Sequence, residues 1–270
     1  MASVTRYLRL IYALGRYSLA TELAFRGNFL VKITVEVLWL VILLIFTRTL
    51  FSSSSRLVAG WSEPEYLFFV GCYFALEGLI ETFFLVNCGE FTELVRTGNL
   101  DLYLLRPIDE QFLISCRNFD WSTAPNVVMG AAVMGWSLYT NPDWHWDPVR
   151  AAAFVVVFFC TLGIAYGFLL ALTSSAVWLV RNQSLLEMWW LVTSLMRYPK
   201  EIYRGWAVPI AQFFTYVVPI LLVVNMPAQT MVKVFDWRNV ALTFGATLIV
   251  LYLSRWFFLR ALRSYRSASS

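Results

Sequence analysis

The chain has 270 residues, 59% of them apolar, 17% aromatic and only 14% charged, with a mean hydropathy of +0.64. Soluble domains average about 45–50% apolar and about 25% charged, and disordered chains are more polar still, so both classes are excluded. The net charge of +4, from 21 Lys+Arg against 17 Asp+Glu, is too small and too dispersed to point to nucleic acid. An outer-membrane barrel would show alternating character strand by strand, which this chain lacks. At ~20 apolar residues per crossing, a helical membrane protein of about six spans uses nearly the whole length. The expectation is one all-α transmembrane domain over residues 1–270 with no room for a nucleotide-binding domain.

From Arg6 to Arg26, Leu8, Ile11, Leu14, Tyr17 and Leu19 recur at helical spacing between Arg9, Arg16 and Glu22. The pattern suits an amphipathic helix at the membrane surface, or equally a basic lead-in to the first span. No short apolar core with a small-residue cleavage site follows, so no signal peptide is expected. The first span is expected over about Asn28 to Thr49, with Lys32 and Glu36 in its first turns. Four residues apart, these two can pair, or Lys32 can snorkel to the head groups. After the serine run 52–55, a second span is expected from about Glu65 to Val86, carrying Glu77 and Glu81.

The stretch from Cys88 to Arg117 is too polar for lipid. Within it, Phe91, Leu94 and Val95 form an apolar stripe with Glu90, Glu93 and Arg96 opposite, and Gly98 can end the helix. The expectation is a short amphipathic helix in the cytosol, lying on the bilayer or docking on a soluble partner. A third span over about Trp121 to Tyr139 contains Pro125, Asn126, Gly130 and Gly135, as expected of a helix packed against protein. Trp144 and Trp146 in the following loop suit an interfacial belt.

A fourth span, about Ala151 to Val180, carries Gly163 and Gly167 at a spacing that permits close helix approach. Beyond the break at residues 181–184, Pro199, Pro209, Pro219 and Pro227 rule out one long helix. A fifth span that ends early, followed by short re-entrant helices, is expected there. The last span runs from about Val240 to Leu262 and ends among Arg255, Arg260, Arg263 and Arg266. With six spans, 13 of the 21 basic residues fall on the side that holds both termini and 8 on the other. The excess places both termini in the cytoplasm.

Little in the chain suits catalysis. The single histidine, His145, lies in an outer loop without a nucleophile pattern, and no GxxxxGK[ST] loop is present. Cys72, Cys88, Cys116 and Cys160 show neither disulfide nor zinc spacing. Glu77 and Glu81 are costly at depth and one turn apart on one face. They either line a pathway or contact a cationic substrate, or else hydrogen-bond inside the bundle as neutral acids.

The run Gly98-Asn99-Leu100-Asp101-Leu102-Tyr103-Leu104-Leu105-Arg106-Pro107 resembles the G-x-L-D-x-x-L-x-R-P signature of a bacterial family of ATP-binding-cassette type-2 transporter permeases. Arg197-Tyr198-Pro199, Pro219 and Pro227-Ala228 resemble that family's proline-punctuated segment before the final span. The resemblance implies a multi-pass subunit in the bacterial inner membrane that dimerises with a second copy or a paralogue. It implies that ATP and Mg are bound by a separate cytoplasmic ATPase, with no cofactor on this chain, and that a small amphipathic or hydrophobic molecule is exported. It assigns a cytoplasmic coupling helix to Glu90, Phe91, Glu93, Leu94 and Arg96, with Gly98, Asp101, Arg106 and Pro107 shaping its exit. An Asp101–Arg106 pair would stiffen that exit. Glu77, Glu81 and Trp189 are the candidates for the pathway, and Arg197, Tyr198, Pro199 and Pro219 for the gate. Trp189 and its neighbour Trp190 equally suit core or lipid-facing packing. An ATPase-independent channel or membrane anchor is the alternative.

Overall fold

The computed structural model describes residues 2–53, 60–179, 183–203 and 208–265. The expected breaks at residues 54–55 and 181–182, together with Arg56, Arg204 and Arg266, lie outside them. Among the described residues the fold is helical throughout. Its first helices are α1 (Ala2–Ala24), α2 (Arg26–Ser53), α3 (Glu63–Ile80) and α4 (Val86–Thr97), followed by α5 (Asp101–Leu104) and α6 (Glu110–Ser115). Then come α7 (Pro125–Thr140), α8 (Pro148–Leu179), α9 (Gln183–Met196), α10 (Val208–Gln212), α11 (Leu222–Val232) and α12 (Trp237–Ser264). Four described helical runs are long and apolar enough to cross a membrane: Arg26–Ser52, Glu63–Thr97, Pro148–Leu179 and Trp237–Ser264. The helices α7 and α9, read above as crossings, have 16 and 14 residues, short of the ~20 a spanning helix needs. Helix α7 starts late because Trp121–Ala124 forms a turn and Pro125 opens the first helical turn.

The sheath around the core is set by helix contacts that only glycine allows. A Cβ on Gly130 of α7 would stand 2.5 Å from the Ala75 nitrogen and 2.6 Å from the Gly71 oxygen of α3, so the two backbones touch. Gly78 meets Val127 in the same way. Gly163 and Gly167 of α8 seat Thr247 and Val250 of α12, as their spacing predicted. Helix α11 lies buried against α3 and α8. The main core gathers Phe68, Phe69, Leu76 and Ile80 of α3 with Ile164 and Leu169 of α8 and Val223 and Val224 of α11. Helix α2, in contrast, leaves nearly all of its apolar window uncovered.

Contrary to the expected separate cytosolic helix, α3 and α4 form one run, Glu63–Thr97, joined by a π-helical turn at Glu81–Leu85. Its 35 residues reach about 50 Å at 1.5 Å per residue, against a hydrocarbon core of about 30 Å. The helix ends where Gly98 takes φ 74°, the left-handed conformation that a C-terminal glycine supplies. At its start Glu65 accepts from the Ser62 N–H and pairs with Lys233.

Both chain ends reach the segment that follows Gly98. The Tyr7 hydroxyl accepts from the Asp109 N–H at 3.2 Å, and Tyr265 packs on the cluster of Phe91, Leu100, Ile114, Leu170 and Phe258. Helix α1 is anchored as Trp121 Nε1 donates to the Gly15 carbonyl and the Trp121 N–H donates to Glu22. Lys32 does not pair with Glu36. Its Nζ meets Asp120 Oδ2 at 3.0 Å, while Glu36 accepts from Asn126 Nδ2 at 2.9 Å.

Candidate functional site

Tyr73, Glu77 and Glu81 recur every four residues on α3 and its π-helical extension, which puts them on one face, away from the glycine face that meets α7. They line a cleft of about 430 Å³ between α3, α2 and α9. Helix α2 contributes Glu36, Trp39, Leu43 and Phe46, again at helical spacing. The far wall is Trp190 and the break after α9, where Arg197 and Tyr198 project because the residue before Pro199 is held away from helical geometry. The sequence candidates Glu77, Glu81, Arg197 and Tyr198 therefore meet in one place.

Inside the cleft Arg197 lies 5.6 Å from the Trp39 ring centroid and 5.7 Å from that of Tyr73, and its Nη2 donates to the Tyr73 hydroxyl at 3.4 Å. Glu77 lies one helical turn from Tyr73 on the same wall of the cleft. Glu81 Oε2 is buried without a hydrogen-bond partner among the described residues. Trp189 does not wall this cleft. It is 2% exposed and stacks near Phe168, while Trp190, 49% exposed, faces the opening. Successive helix residues point about 100° apart, and here that turn carries Trp189 into the core while Trp190 stays at the cleft.

The break at Pro199 is held from behind. Asn225, fully buried in α11, accepts from the Lys200 N–H through Oδ1 at 3.0 Å. Glu201 accepts from Trp61 Nε1 and Gln229 Nε2. Pro219 lies where the chain leaves the π-helical turn Phe213–Val217 and reverses into α11.

The second group of candidates sits at the other end of the same helix. Phe91 is 1% exposed and packs against Phe258, Leu100 and Leu170, with Leu94 and Val95 beside it. The stripe read as available for docking is thus an internal seam to α8 and α12, a correction that follows from α4 continuing α3 rather than floating free. Glu90 pairs with Arg117 and accepts from Asn118 Nδ2. Asn87 Oδ1 accepts from the Asn118 N–H at 2.8 Å, and its Nδ2 faces the Ser115 and Asn118 carbonyls. Tyr103 lies beneath both Arg106 and Arg117, with guanidinium carbons 4.8 and 5.0 Å from its ring centroid. Arg106 is spent on that ring, and Asp101 faces the Tyr265 phenol in place of the expected partner.

This end exposes Glu93 and Arg96, paired with each other, Thr97, Asn99, Arg106, and the apolar Leu102 and Leu105, which are 62% and 82% exposed. Pro107 follows them at the surface. The signal for the two leucines was present in the signature run itself, but periodicity alone gives no hint that Leu100 and Leu104 turn inward and leave these two outside. Asp109 caps α6 by accepting from the Phe112 N–H and binds Arg255 of α12 at 2.8 Å. The Arg255 hydrogen bond, then the cap, hold its carboxyl below the usual carboxylate range.

A family model described as ABC-2 family transporter protein matches residues 37–269, most of the chain. The chain belongs to the ABC-2 transporter family. No curated protein and no solved structure matches it. For this ABC-2 protein the match runs from α2, beside the cleft, through the signature run to the end of α12. His145, on the exposed loop after α7 with Nδ1 3.3 Å from the Asp143 carbonyl, has no place in either candidate region.

Proposed function

We propose that the ABC-2 protein is the membrane half of an exporter that moves a small amphipathic or hydrophobic molecule out of the bacterial cytoplasm. A separate ATPase would bind ATP and Mg and supply the energy, and a second copy or a paralogue would complete the pathway. Six crossings, with α7 and α9 as the short ones and α10–α11 re-entering beside α9, would leave both termini and the Gly98–Pro107 tip in the cytoplasm. The observation that carries this reading is the single helical run Glu63–Thr97: its middle walls the cleft through Tyr73, Glu77 and Glu81, and its C-terminal end reaches the exposed tip.

Force applied at the tip would pass along α4 because Asn87 and Glu90 lock it to residues 115–118. The π-helical turn at Glu81–Leu85 is the weakest stretch of backbone between tip and cleft, since i→i+5 bonding is a local departure from the α ladder. Movement at the tip would therefore be expressed as a change of tilt next to Glu81. The ATPase contact falls on Leu102 and Leu105, with Glu93, Arg96 and Asn99 around them. Phe91 and Leu94 hold that surface from beneath.

Co-expression with candidate ABC ATPases from the same genome tests this. The double variant Leu102→Asp, Leu105→Asp should remain in the membrane fraction and lose the ATPase on affinity purification. Undiminished capture by the variant would move the ATPase contact off these two leucines, and the absence of any ATPase from the wild-type preparation would favour an ATPase-independent channel or anchor instead.

A further inference from the structure

The cleft holds three carboxylates, Glu36, Glu77 and Glu81, and one guanidinium, Arg197. Their partners are unequal. Glu36 is taken by Asn126, and Arg197 already rests on the Trp39 and Tyr73 rings. Only Glu81 presents a buried oxygen with no partner among the described residues. Buried polar atoms in native proteins are nearly always satisfied, and one that is not calls for an external partner. The remaining lining is apolar and aromatic, with Phe46, Phe74, Trp190 and Tyr198 around the space. Ring faces attract cations and repel anions, and the seat of Arg197 between two rings demonstrates that this wall accepts one. A volume of about 430 Å³ suits a small organic molecule rather than a polymer or a bare ion.

We infer that the cleft selects hydrophobic organic cations, with Glu81 as the counter-charge and the aromatic wall as the seat for the apolar body. The inference rests on the transport reading above and adds the charge of the cargo. An anion of the same shape would face an excess of carboxylates with the one guanidinium already engaged, and would be rejected.

The experiment uses the full chain in lipid nanodiscs, without ATPase, and a charge-reversed pair of one shape: radiolabelled tetraphenylphosphonium and tetraphenylborate. Saturable binding of the phosphonium is expected, with binding of the borate at least about tenfold weaker. Glu81→Gln should weaken phosphonium binding at least about tenfold, and Glu81→Asp should retain most of it. Trp39→Ala, at a half-exposed position on α2 that leaves α3 untouched, should weaken it about two- to fivefold. Equal or tighter borate binding overturns the inference, as does wild-type phosphonium binding by Glu81→Gln. If Glu81→Gln does not fold, Trp39→Ala decides, and wild-type affinity there overturns it. Because no ATPase is present, failure here leaves the capture result for the Leu102 and Leu105 variant standing, and failure of that capture leaves the binding result standing.

Discussion

Phe91 and Leu105 stand at the same end of the molecule with opposite fates. Phe91 is enclosed by Phe258, Leu100 and Leu170, so Phe91→Ala should cost about 3–5 kcal/mol, read as a lowered melting midpoint in detergent. Leu105→Ala removes a side chain that touches almost nothing and should leave that midpoint unchanged. The stripe of Phe91, Leu94 and Val95 was legible as an apolar face, but not what covers it. Its partner Phe258 is remote in sequence, and periodicity reports that a face is buried without saying against which element. Asp109 gives a pH signature at this scale. Its carboxyl titrates lower in the folded chain than in the unfolded one, so its stabilising effect is complete above the ordinary carboxylate range. That effect is lost as pH falls through the lowered folded value. Asp109→Asn should flatten that acid limb in thermal melts between neutral pH and pH about 3, and Asp109→Ala should cost about 1 kcal/mol through the lost cap of α6.

Helix α3 shows how an element is fixed by two faces with different tasks. Gly71, Ala75 and Gly78 admit α7 to backbone contact, while Tyr73, Glu77 and Glu81 turn to the cleft. Gly130→Ala should push α3 and α7 apart at a cost of about 1–3 kcal/mol, because the atoms in the way are backbone and cannot rotate aside. Gly135→Ala on the same helix meets nothing within 4 Å and should be neutral or stabilising by up to about 1 kcal/mol. Thermal unfolding of the two variants side by side checks both. The Gly163–Gly167 contact was readable because a four-residue spacing marks one face. Gly71 and Gly78 went unread because seven residues separate them, so no four-residue glycine pair marks the face. The continuity of α3 and α4 was hidden for another reason: the polar residues of α4 look like the end of a helix. Arg117 and Asn118, far along the chain, satisfy Glu90 where it stands.

Across the whole molecule, Tyr7 and Tyr265 both reach the segment after Gly98, which requires an even number of crossings if that segment lies on one side of a bilayer. Single cysteines at Asn99 and His145, in a background with Cys116 and Cys160 replaced by serine, test the arrangement. An impermeant maleimide should label His145→Cys in intact cells and Asn99→Cys only after lysis. The broad plan of apolar runs, the proline-broken fifth region and the glycine at the end of α4 were all legible, because each depends on local chemistry. The cleft was legible only in part. Glu77 and Glu81 announced themselves as charges in an apolar run, whereas Trp190, Tyr73 and Trp39 are ordinary aromatics until the fold gathers them.

The cleft opens past the bare flank of α2, where Trp39, Ile42 and Phe46 are uncovered. A visitor arriving by that route comes from the oily phase rather than from water. Its local abundance is then set by how much of it dissolves in lipid. Half-saturation expressed as total ligand added should climb in proportion to the lipid present, while occupancy plotted against moles of ligand per mole of phospholipid should fall on one curve.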